Sequence, residues 1–235
     1  MATMFEAWQD VLRRIDEAVV SIQRPAGSVR LLAVSKTFPA EAVRTLYGHG
    51  QRAFGENYVQ EFAAKRAALA ELAGIEWHFI GPLQSNKSRS VAEGADWVHT
   101  VDRLKIAERL SAQRPDARGE LNVCIQVNVS GEASKSGVAP DDAVALAGAV
   151  AALPRLRLRG LMCIPEPTAD PARLAGQFAQ LRQLQQALNA RGHALDTLSM
   201  GMSADLETAI AEGATLVRVG TAIFGRRDAL NRSER

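Results

Sequence analysis

The sequence predicts an α/β fold, a single-domain TIM (β/α)8 barrel with an extra N-terminal helix, on three observations. Short runs rich in β-branched or aromatic residues alternate with longer runs rich in alanine, leucine and arginine. This alternation occurs eight times in 235 residues, and eight such units in roughly 250 residues are typical of the barrel. No linker rich in Ser, Pro or Gly interrupts it, so we assign residues 1–235 to one domain. An open, doubly wound sheet is the alternative fold.

The first predicted element is the extra helix. Its apolar residues recur every three or four positions and form one stripe, made of Trp8, Leu12, Ile15, Val19 and Ile22. Proline and glycine in 25–27 are expected to end this helix.

Strand and helix candidates then alternate along the chain. The strand candidates are 31–35, 52–55, 76–80, 96–100, 121–129, 156–164, 196–200 and 215–219. The helix candidates between them are 40–48, 57–73, 84–93, 103–113, 140–152, 171–191 and 204–211. Strands separated by helices are usually parallel, because the crossover returns the chain to the same end of the sheet.

Composition and charge exclude several classes of protein. Apolar residues make up 47% and charged residues 23% of the chain, which is ordinary globular composition. A net charge of +2 and 5% aromatic residues do not favour nucleic-acid binding. The longest apolar run, 143–153, is shorter than the ~18 residues of a membrane span. The first twenty residues contain four acidic residues and no apolar block, so we expect a cytoplasmic protein without a secretory signal.

Metal and nucleotide motifs are not found in the sequence. The four histidines show no metal-ligand spacing, and we interpret His78 and His99 as satisfied core or rim residues. Residues 81–88 resemble a phosphate loop but lack its second glycine, so a helix start with Ser85 as N-cap is the better interpretation. The cysteines, at 124 and 163, lie in apolar stretches and are expected to be reduced and buried.

Lys36 is the first candidate for chemistry, because it closes the first predicted strand. Alternation places Leu32, Val34 and Lys36 on one strand face, and Ala33 and Ser35 on the other. If the first face points into the barrel, desolvation disfavours the ammonium form and makes the amine nucleophilic towards a carbonyl. The alternative is a solvated lysine at the end of a strand.

The loops after the last two strands are candidates for binding an anion. Small residues of 199–203 precede a helix, and backbone N–H groups at a helix start favour an anion. Gly220 and Thr221 follow the eighth strand, and phosphate sites in this fold commonly use the loops after strands seven and eight. Two ordinary glycine turns are the alternative interpretation.

Arg218 shares a face of the eighth strand with Leu216 and Gly220. Burying an arginine inside a barrel costs free energy unless its N–H groups meet an acceptor. If Arg218 points inward, the functional interpretation is a permanently charged group that faces an electron-rich ring atom of a ligand. The alternative is an outward arginine paired with a carboxylate of a helix.

Seven segments together resemble one protein family. They read AVSKT at 33–37, FGENYVQE at 54–61, WHFIGPLQSNK at 77–87, SKSG at 134–137, GLMCI at 160–164, SMGMSAD at 199–205 and RVGTAIFG at 218–225. With these motifs in order, the chain resembles the pyridoxal phosphate homeostasis proteins, single-domain relatives of the alanine racemase N-terminal barrel.

The resemblance implies a bound pyridoxal 5′-phosphate, held as a Schiff base on Lys36. It implies that Arg218 faces the pyridine nitrogen, that Asn57 lies near the ring substituents and that Met162 lies near the ring. It also implies a phosphate cradle formed by Ser199, Met200, Gly201, Ser203, Gly220 and Thr221.

We therefore expect a protein that carries and buffers the cofactor without strong catalysis of its own. An arginine at the pyridine nitrogen only donates, so the ring stabilises carbanions less. Racemisation also needs an acid/base on each side of the substrate carbon. The racemases take the second base from an additional β domain, and we expect none here because the chain ends ten residues after the last motif. A weak amino-acid racemase using Lys36 as one base is the alternative.

The expected partners are pyridoxal phosphate and client enzymes that depend on it, with no nucleic acid and no membrane. A monomer or weak dimer is expected. Lys135 could offer a second amine near the mouth of the site, and a solvated loop lysine is the simpler interpretation.

Overall fold

The computed structural model describes residues 3–131 and 136–225. Within these ranges eight parallel strands close into a barrel in chain order, and the last strand pairs with the first from Arg30↔Leu216 to Ala33↔Val219. The closed ring confirms the predicted TIM barrel and excludes the open sheet. Lys135 lies outside the described residues.

The eight strands are short, because each only spans the wall of the barrel. They are β1 Arg30–Val34, β2 Ala53–Glu56, β3 Glu76–Phe79, β4 Trp97–Val101, β5 Leu121–Gln126, β6 Leu156–Met162, β7 Thr197–Ser199 and β8 Leu216–Val219. In this fold, binding and catalytic residues are expected at the carboxyl ends of the strands, where the following loops begin.

Helices precede the barrel and connect its strands. They are α1 Met4–Ser21, α2 Ala40–Gly48, α3 Val59–Ala68, α4 Ser88–Gly94, α5 Leu104–Gln113, α6 Pro140–Ala151, α7 Pro171–Ala190, α8 Leu206–Ala211 and α9 Thr221–Phe224. Among the helices of 3–131 and 136–225, none combines the length and apolar character that a membrane span needs.

The observed ends of several elements differ from the prediction. The N-terminal helix begins earlier, because Thr3 and Glu6 form a capping box that accepts two of its first N–H groups. Ser85 is not an N-cap: it begins a short 3-10 turn, and its carbonyl accepts a hydrogen bond from Ser88 Oγ at 2.9 Å. The short helix α9 was not predicted, since four residues give no periodic signal.

Apolar side chains fill two layers on either side of the strands. Ala33 and Val217 belong to the large outer core between strands and helices, while Leu32, Val34 and Leu216 pack together inside the barrel. Inward and outward residues alternate along β1 and β8 as the sequence predicts. Lys36 continues the inward face of β1 and Gly220 continues the inward face of β8, so both residues reach the barrel mouth.

The helix α1 packs against α8 and α9. Its Arg14 donates to Glu207 Oε1 at 2.7 Å and to the carbonyl of Ser203 at 3.1 Å. The extra N-terminal helix thus holds the segment that follows β7.

Candidate functional site

A cavity of about 500 Å³ opens at the carboxyl ends of the strands, between β1 and β8. Six of the predicted site residues line it: Lys36, Asn57, Ser203, Arg218, Gly220 and Thr221. The lining also includes Phe38, Ile80 and Ile164, which give it apolar walls. Among the described residues of the lining, two side chains are cationic and none is acidic.

Lys36 lies where the strand-face argument places it. Val34, two residues earlier on the same face, is buried inside the barrel and also lines the cavity. The side chain of Lys36 is half-buried at the barrel mouth. Lys36 therefore borders the cavity, and its reaction with a carbonyl stays a prediction.

Two side chains of α3 hold the backbone on both sides of Lys36. Lys65 Nζ donates to the carbonyl of Ser35 at 2.7 Å, and Glu61 Oε2 accepts from the N–H of Thr37 at 2.7 Å. Thr37 has a φ of 69°, a left-handed conformation that costs energy for a β-branched residue. These two bonds hold the turn in that conformation and so fix where the lysine leaves the strand.

A buried ion pair supports the same turn. Lys65 Nζ lies 2.6 Å from Glu56 Oε1, which also accepts from Ser35 Oγ at 2.6 Å. Burial raises the pKa of Glu56, and the charge and hydrogen bond of Lys65 oppose that rise without cancelling it. Sequence reasoning missed this pair. The spacing of Glu61 and Lys65, four residues apart on one helix, predicts a surface pair instead.

The loops after β7 and β8 meet at the cavity. The N–H of Ala222 donates to Ser203 Oγ at 3.3 Å, and the N–H of Arg218 donates to the carbonyl of Gly201 at 2.9 Å. A Cβ at Gly220 would lie 3.1 Å from the carbonyl oxygen of Val34, a tight contact that favours a residue without a side chain here. The two loops predicted to bind an anion are thus brought together beside Lys36.

Four predicted site residues lie behind the lining rather than in it. Met162 is fully buried against Trp97 and Cys124 inside the barrel. Met200 packs in the outer core, and Gly201, with a φ of 93°, has no room for a Cβ beside Ala209. For Met200 the reason is alternation: Ser199 faces the barrel interior, so the next residue faces the outer core. Their contact with a cofactor stays a prediction.

The fourth of these residues, Ser199, does not line the cavity but accepts hydrogen bonds from Arg218, which does. The guanidinium is buried and points inward: Nη1 donates to the carbonyl and Oγ of Ser199, the latter at 2.9 Å, and Nη2 donates to the carbonyl of Cys163 at 2.8 Å. Burial is the main influence on Arg218 and lowers its pKa. The alternative of an outward arginine paired with a helix carboxylate is wrong.

A row of hydrogen bonds continues from Ser199 through the barrel interior. His99 Nδ1 lies 2.8 Å from Ser199 Oγ, His99 Nε2 lies 2.9 Å from His78 Nδ1, and His78 Nε2 lies 2.6 Å from Glu76 Oε1. Both histidines are fully buried, and the prediction that they are satisfied core residues is confirmed. We call the row from Glu76 to Arg218 the relay.

Neither cysteine offers a reactive thiol. Both Cys124 and Cys163 are free and buried, as predicted, and burial raises the pKa of each to about 12. In the described part of the chain, no group of three or more His, Cys, Asp or Glu side chains is arranged to hold a metal ion.

Relatives with curated names agree with the resemblance. The profile described as "Alanine racemase, N-terminal domain" matches residues 11–228. The pyridoxal phosphate homeostasis protein of Pseudomonas aeruginosa is 61% identical over 228 residues, covering 97% of each chain. The chain belongs to the family of pyridoxal phosphate homeostasis proteins. A homeostasis protein from Escherichia coli is 55% identical, covering 92% of this chain and 93% of the relative.

Solved structures give the same family and fold. PipY of Synechococcus elongatus, whose structure is described with PLP bound, has 42% identity and a TM-score of 0.80, covering 90% of this homeostasis-family chain and all of PipY. Alanine racemase from Corynebacterium glutamicum has a TM-score of 0.68 at 17% identity, covering 92% of this chain and 62% of the racemase. At that identity the likeness shows the barrel fold alone.

Acid is expected to destabilise this homeostasis-family protein through Glu76. Burial alone would raise the pKa of this carboxyl, but the hydrogen bond from His78 and the hydrogen bond and charge of Arg30 outweigh burial and lower it from 4.5 to about 2. Because the folded pKa is the lower one, the contribution to stability is complete above pH 4.5 and is lost as the pH falls towards 2. The free energy of unfolding, measured by urea titration, should therefore differ most between wild type and Glu76→Gln near pH 6 and least near pH 3.

The control is Glu17→Gln, which changes a carboxylate that is 63% exposed. Its difference from wild type should stay small at every pH. A Glu76→Gln difference that is constant from pH 6 to pH 3 would contradict the prediction.

Proposed function

We propose that the protein binds pyridoxal 5′-phosphate in the cavity, holds it as a Schiff base on Lys36, and buffers or delivers it. The observation that supports this most is the charge of the cavity: a lysine and an arginine, with no acidic side chain in the described lining. A ligand with an aldehyde and a phosphate suits such a pocket, because the amine can condense with the aldehyde and the positive charge of the cavity attracts an anionic ligand. The homologue PipY is described with PLP bound.

The remaining lining residues fit the same ligand. Asn57 Oδ1 is buried and has no hydrogen-bond partner among the described residues, so it can accept from a donor on the ligand. The hydroxyls of Ser203 and Thr221 lie at the loops where the phosphate is expected. A cavity of about 500 Å³ is also within the usual range for small-molecule sites.

Arg218 favours a carrier over a catalyst. When bound, the cofactor supplies an aldehyde and an electron-accepting ring. A guanidinium has five N–H donors and no acceptor, and three hydrogen bonds to Ser199 and Cys163 leave two N–H groups for the cavity. Facing the pyridine nitrogen, Arg218 would donate to it and keep it unprotonated, which weakens the ring as an electron acceptor.

A racemase would need a second acid/base opposite Lys36, and no observation favours one. The hydroxyl of Tyr47 donates to the carbonyl of Ala73 at 2.8 Å, and Tyr58 is 48% exposed. Neither tyrosine is among the described residues that line the cavity. We therefore propose the carrier function alone, with the client enzymes as recipients of the cofactor.

Substituting Lys36 with alanine is expected to abolish covalent retention of the cofactor. The protein is mixed with pyridoxal phosphate, reduced with borohydride and digested, and the labelled peptide is identified by mass spectrometry. Wild type should gain one reduced pyridoxyl phosphate group on Lys36, because a Schiff base becomes a stable amine on reduction. Lys36→Ala should gain none at that position and lose the visible absorbance of the bound cofactor.

Lys105→Ala is the control, since Lys105 is an exposed lysine of α5 away from the lining. It should be labelled at Lys36 as wild type is. Retained visible absorbance in Lys36→Ala would contradict the assignment. Adding L-alanine before reduction tests delivery, because an incoming amine should displace Lys36 from the cofactor and reduce the labelling of this lysine. Labelling of Lys36 that is unchanged by a large excess of L-alanine would contradict this part of the proposal.

A further inference from the structure

The relay fixes the direction of every hydrogen bond between Glu76 and Arg218. An ionised carboxylate only accepts, so His78 Nε2 must carry the proton in the 2.6 Å contact with Glu76. Complete burial is the main influence on His78 and lowers its pKa, so its ring is neutral at pH 7. A neutral ring protonated at Nε2 has an unprotonated Nδ1, which accepts.

The same reasoning passes to the second histidine. Because His78 Nδ1 accepts, His99 Nε2 donates across their 2.9 Å contact. Burial lowers the pKa of His99 well below its ordinary value, with His78 and Arg218 as further influences in the same direction. His99 Nδ1 is thus an acceptor as well, and it receives the hydroxyl proton of Ser199 at 2.8 Å.

Ser199 completes the row. Its Oγ donates to His99 and accepts from Arg218 Nη1 at 2.9 Å. All four bonds of the relay therefore point from the guanidinium at the carboxyl end of the barrel to the carboxylate at the other end. At that end Arg30 Nη2 donates to Glu76 Oε1 at 2.9 Å, which completes the charge balance.

We propose that His78 and His99 are positioning residues that act through Ser199 to hold Arg218 as an oriented donor towards the cavity. A donor row with a cation at one end and an anion at the other has a single lowest-energy arrangement, because reversing one bond leaves two donors or two acceptors facing each other. Arg218 Nη1 is thereby committed to Ser199, and the N–H groups left over point to the ligand.

The role towards the cofactor rests on the proposed function, whereas the direction of the row does not. The charged groups around His78 are Glu76, Arg30 and Asp96, and those around His99 are Arg218 and Arg30. Carboxylates and guanidiniums keep their charge between pH 7 and pH 9, and both rings are neutral there, so the donor pattern offered to the ligand is constant over this range.

Histidine NMR of the cofactor-free protein tests the direction. Long-range ¹H–¹⁵N spectra should show the neutral Nε2–H tautomer for both His78 and His99, unchanged from pH 7 to pH 9. His78→Gln and His99→Gln assign the two signals. A doubly protonated His78, or an Nδ1–H tautomer at either ring, would overturn the relay whatever the protein binds.

Variants of His99 test the effect on Arg218. His99→Phe keeps the aromatic volume but removes donor and acceptor, and should weaken cofactor binding about tenfold and shift the absorbance of the bound cofactor. His99→Gln retains one donor and one acceptor and should restore part of both. Cys124→Ala, a change in the barrel interior outside the relay, should leave affinity and spectrum unchanged even if stability falls.

The outcomes separate the two proposals. If borohydride still labels Lys36 but His99→Phe matches wild type in affinity and spectrum, the positioning role is wrong and the cofactor site stands. If Lys36 is not labelled in wild type, the proposed function fails, and the tautomer spectra still decide whether the relay exists.

Discussion

Substituting Lys65 with methionine is expected to destabilise the protein by about 3–5 kcal/mol at pH 7.5, the usual cost of leaving one partner of a buried pair without the other. Lys65 is 7% exposed, and its loss leaves the Glu56 carboxylate, 0% exposed, without a cation. Glu56 Oε2 already lacks a hydrogen-bond partner among the described residues, and the hydrogen bond from Ser35 Oγ to Oε1 brings no positive charge to replace that of Lys65. The turn at Ser35 also loses a hydrogen bond, so borohydride labelling of Lys36 should slow.

The dependence on pH follows from Glu56. Its pKa is raised in the folded protein, chiefly by burial, and removing Lys65 removes an influence that lowers it. The variant carboxyl therefore takes up a proton more readily, and the buried charge disappears as the pH falls. Urea titrations should show the largest loss at high pH and a smaller loss at pH 5.

A double variant provides the control for this pair. Glu56→Gln with Lys65→Met removes both charges and should recover part of the stability, since no buried ion is left unpaired. Lys105→Met, an exposed site, should change stability by less than about 0.5 kcal/mol. A double variant less stable than Lys65→Met at pH 7.5 would contradict the explanation.

Substituting Gly81 with alanine is expected to cost more than about 4 kcal/mol, enough to leave the protein largely unfolded. A Cβ at this position would lie 1.9 Å from the carbonyl oxygen of Asn57. The obstacle is backbone rather than a flexible side chain, so the loop after β2 would have to move. Asn57 lines the cavity, and any variant that does fold should bind the cofactor more weakly.

Gly148→Ala is the matched control, because it introduces the same methyl group where nothing lies within 4 Å. Within α6 this change should be neutral or stabilise by up to about 1 kcal/mol. Thermal unfolding followed by circular dichroism measures both variants. A Gly81→Ala protein that melts within a few degrees of wild type would show that the two loops do not approach so closely.

The spacing of apolar residues was sufficient to predict the fold. Strands buried on both faces appear as short apolar runs, and helices buried on one face appear as apolar residues every three or four positions. The extra helix and every strand could be placed to within a few residues from runs such as 31–35. The predicted 121–129 and 156–164 extend past the observed ends at Gln126 and Met162, since apolar loop residues continue the pattern of a strand.

The site was only partly predictable for a different reason. Lys36 and Arg218 follow from alternation on a single strand, which a sequence shows directly. The relay joins side chains of β3, β4, β7 and β8, so it depends on how four strands are staggered. That stagger includes irregular pairing near Val98 and Val123, which no local pattern reveals.

The contact between β1 and β8 has a consequence for how the protein is made. Lys36 leaves the ribosome about 180 residues before Arg218, Gly220 and Thr221 do. A nascent chain thus presents the amine without the opposing cation or the anion loops. If the cavity holds an aldehyde on Lys36 as proposed, the complete pocket exists only after β8 has docked beside β1, so the cofactor can be retained only once the barrel has closed.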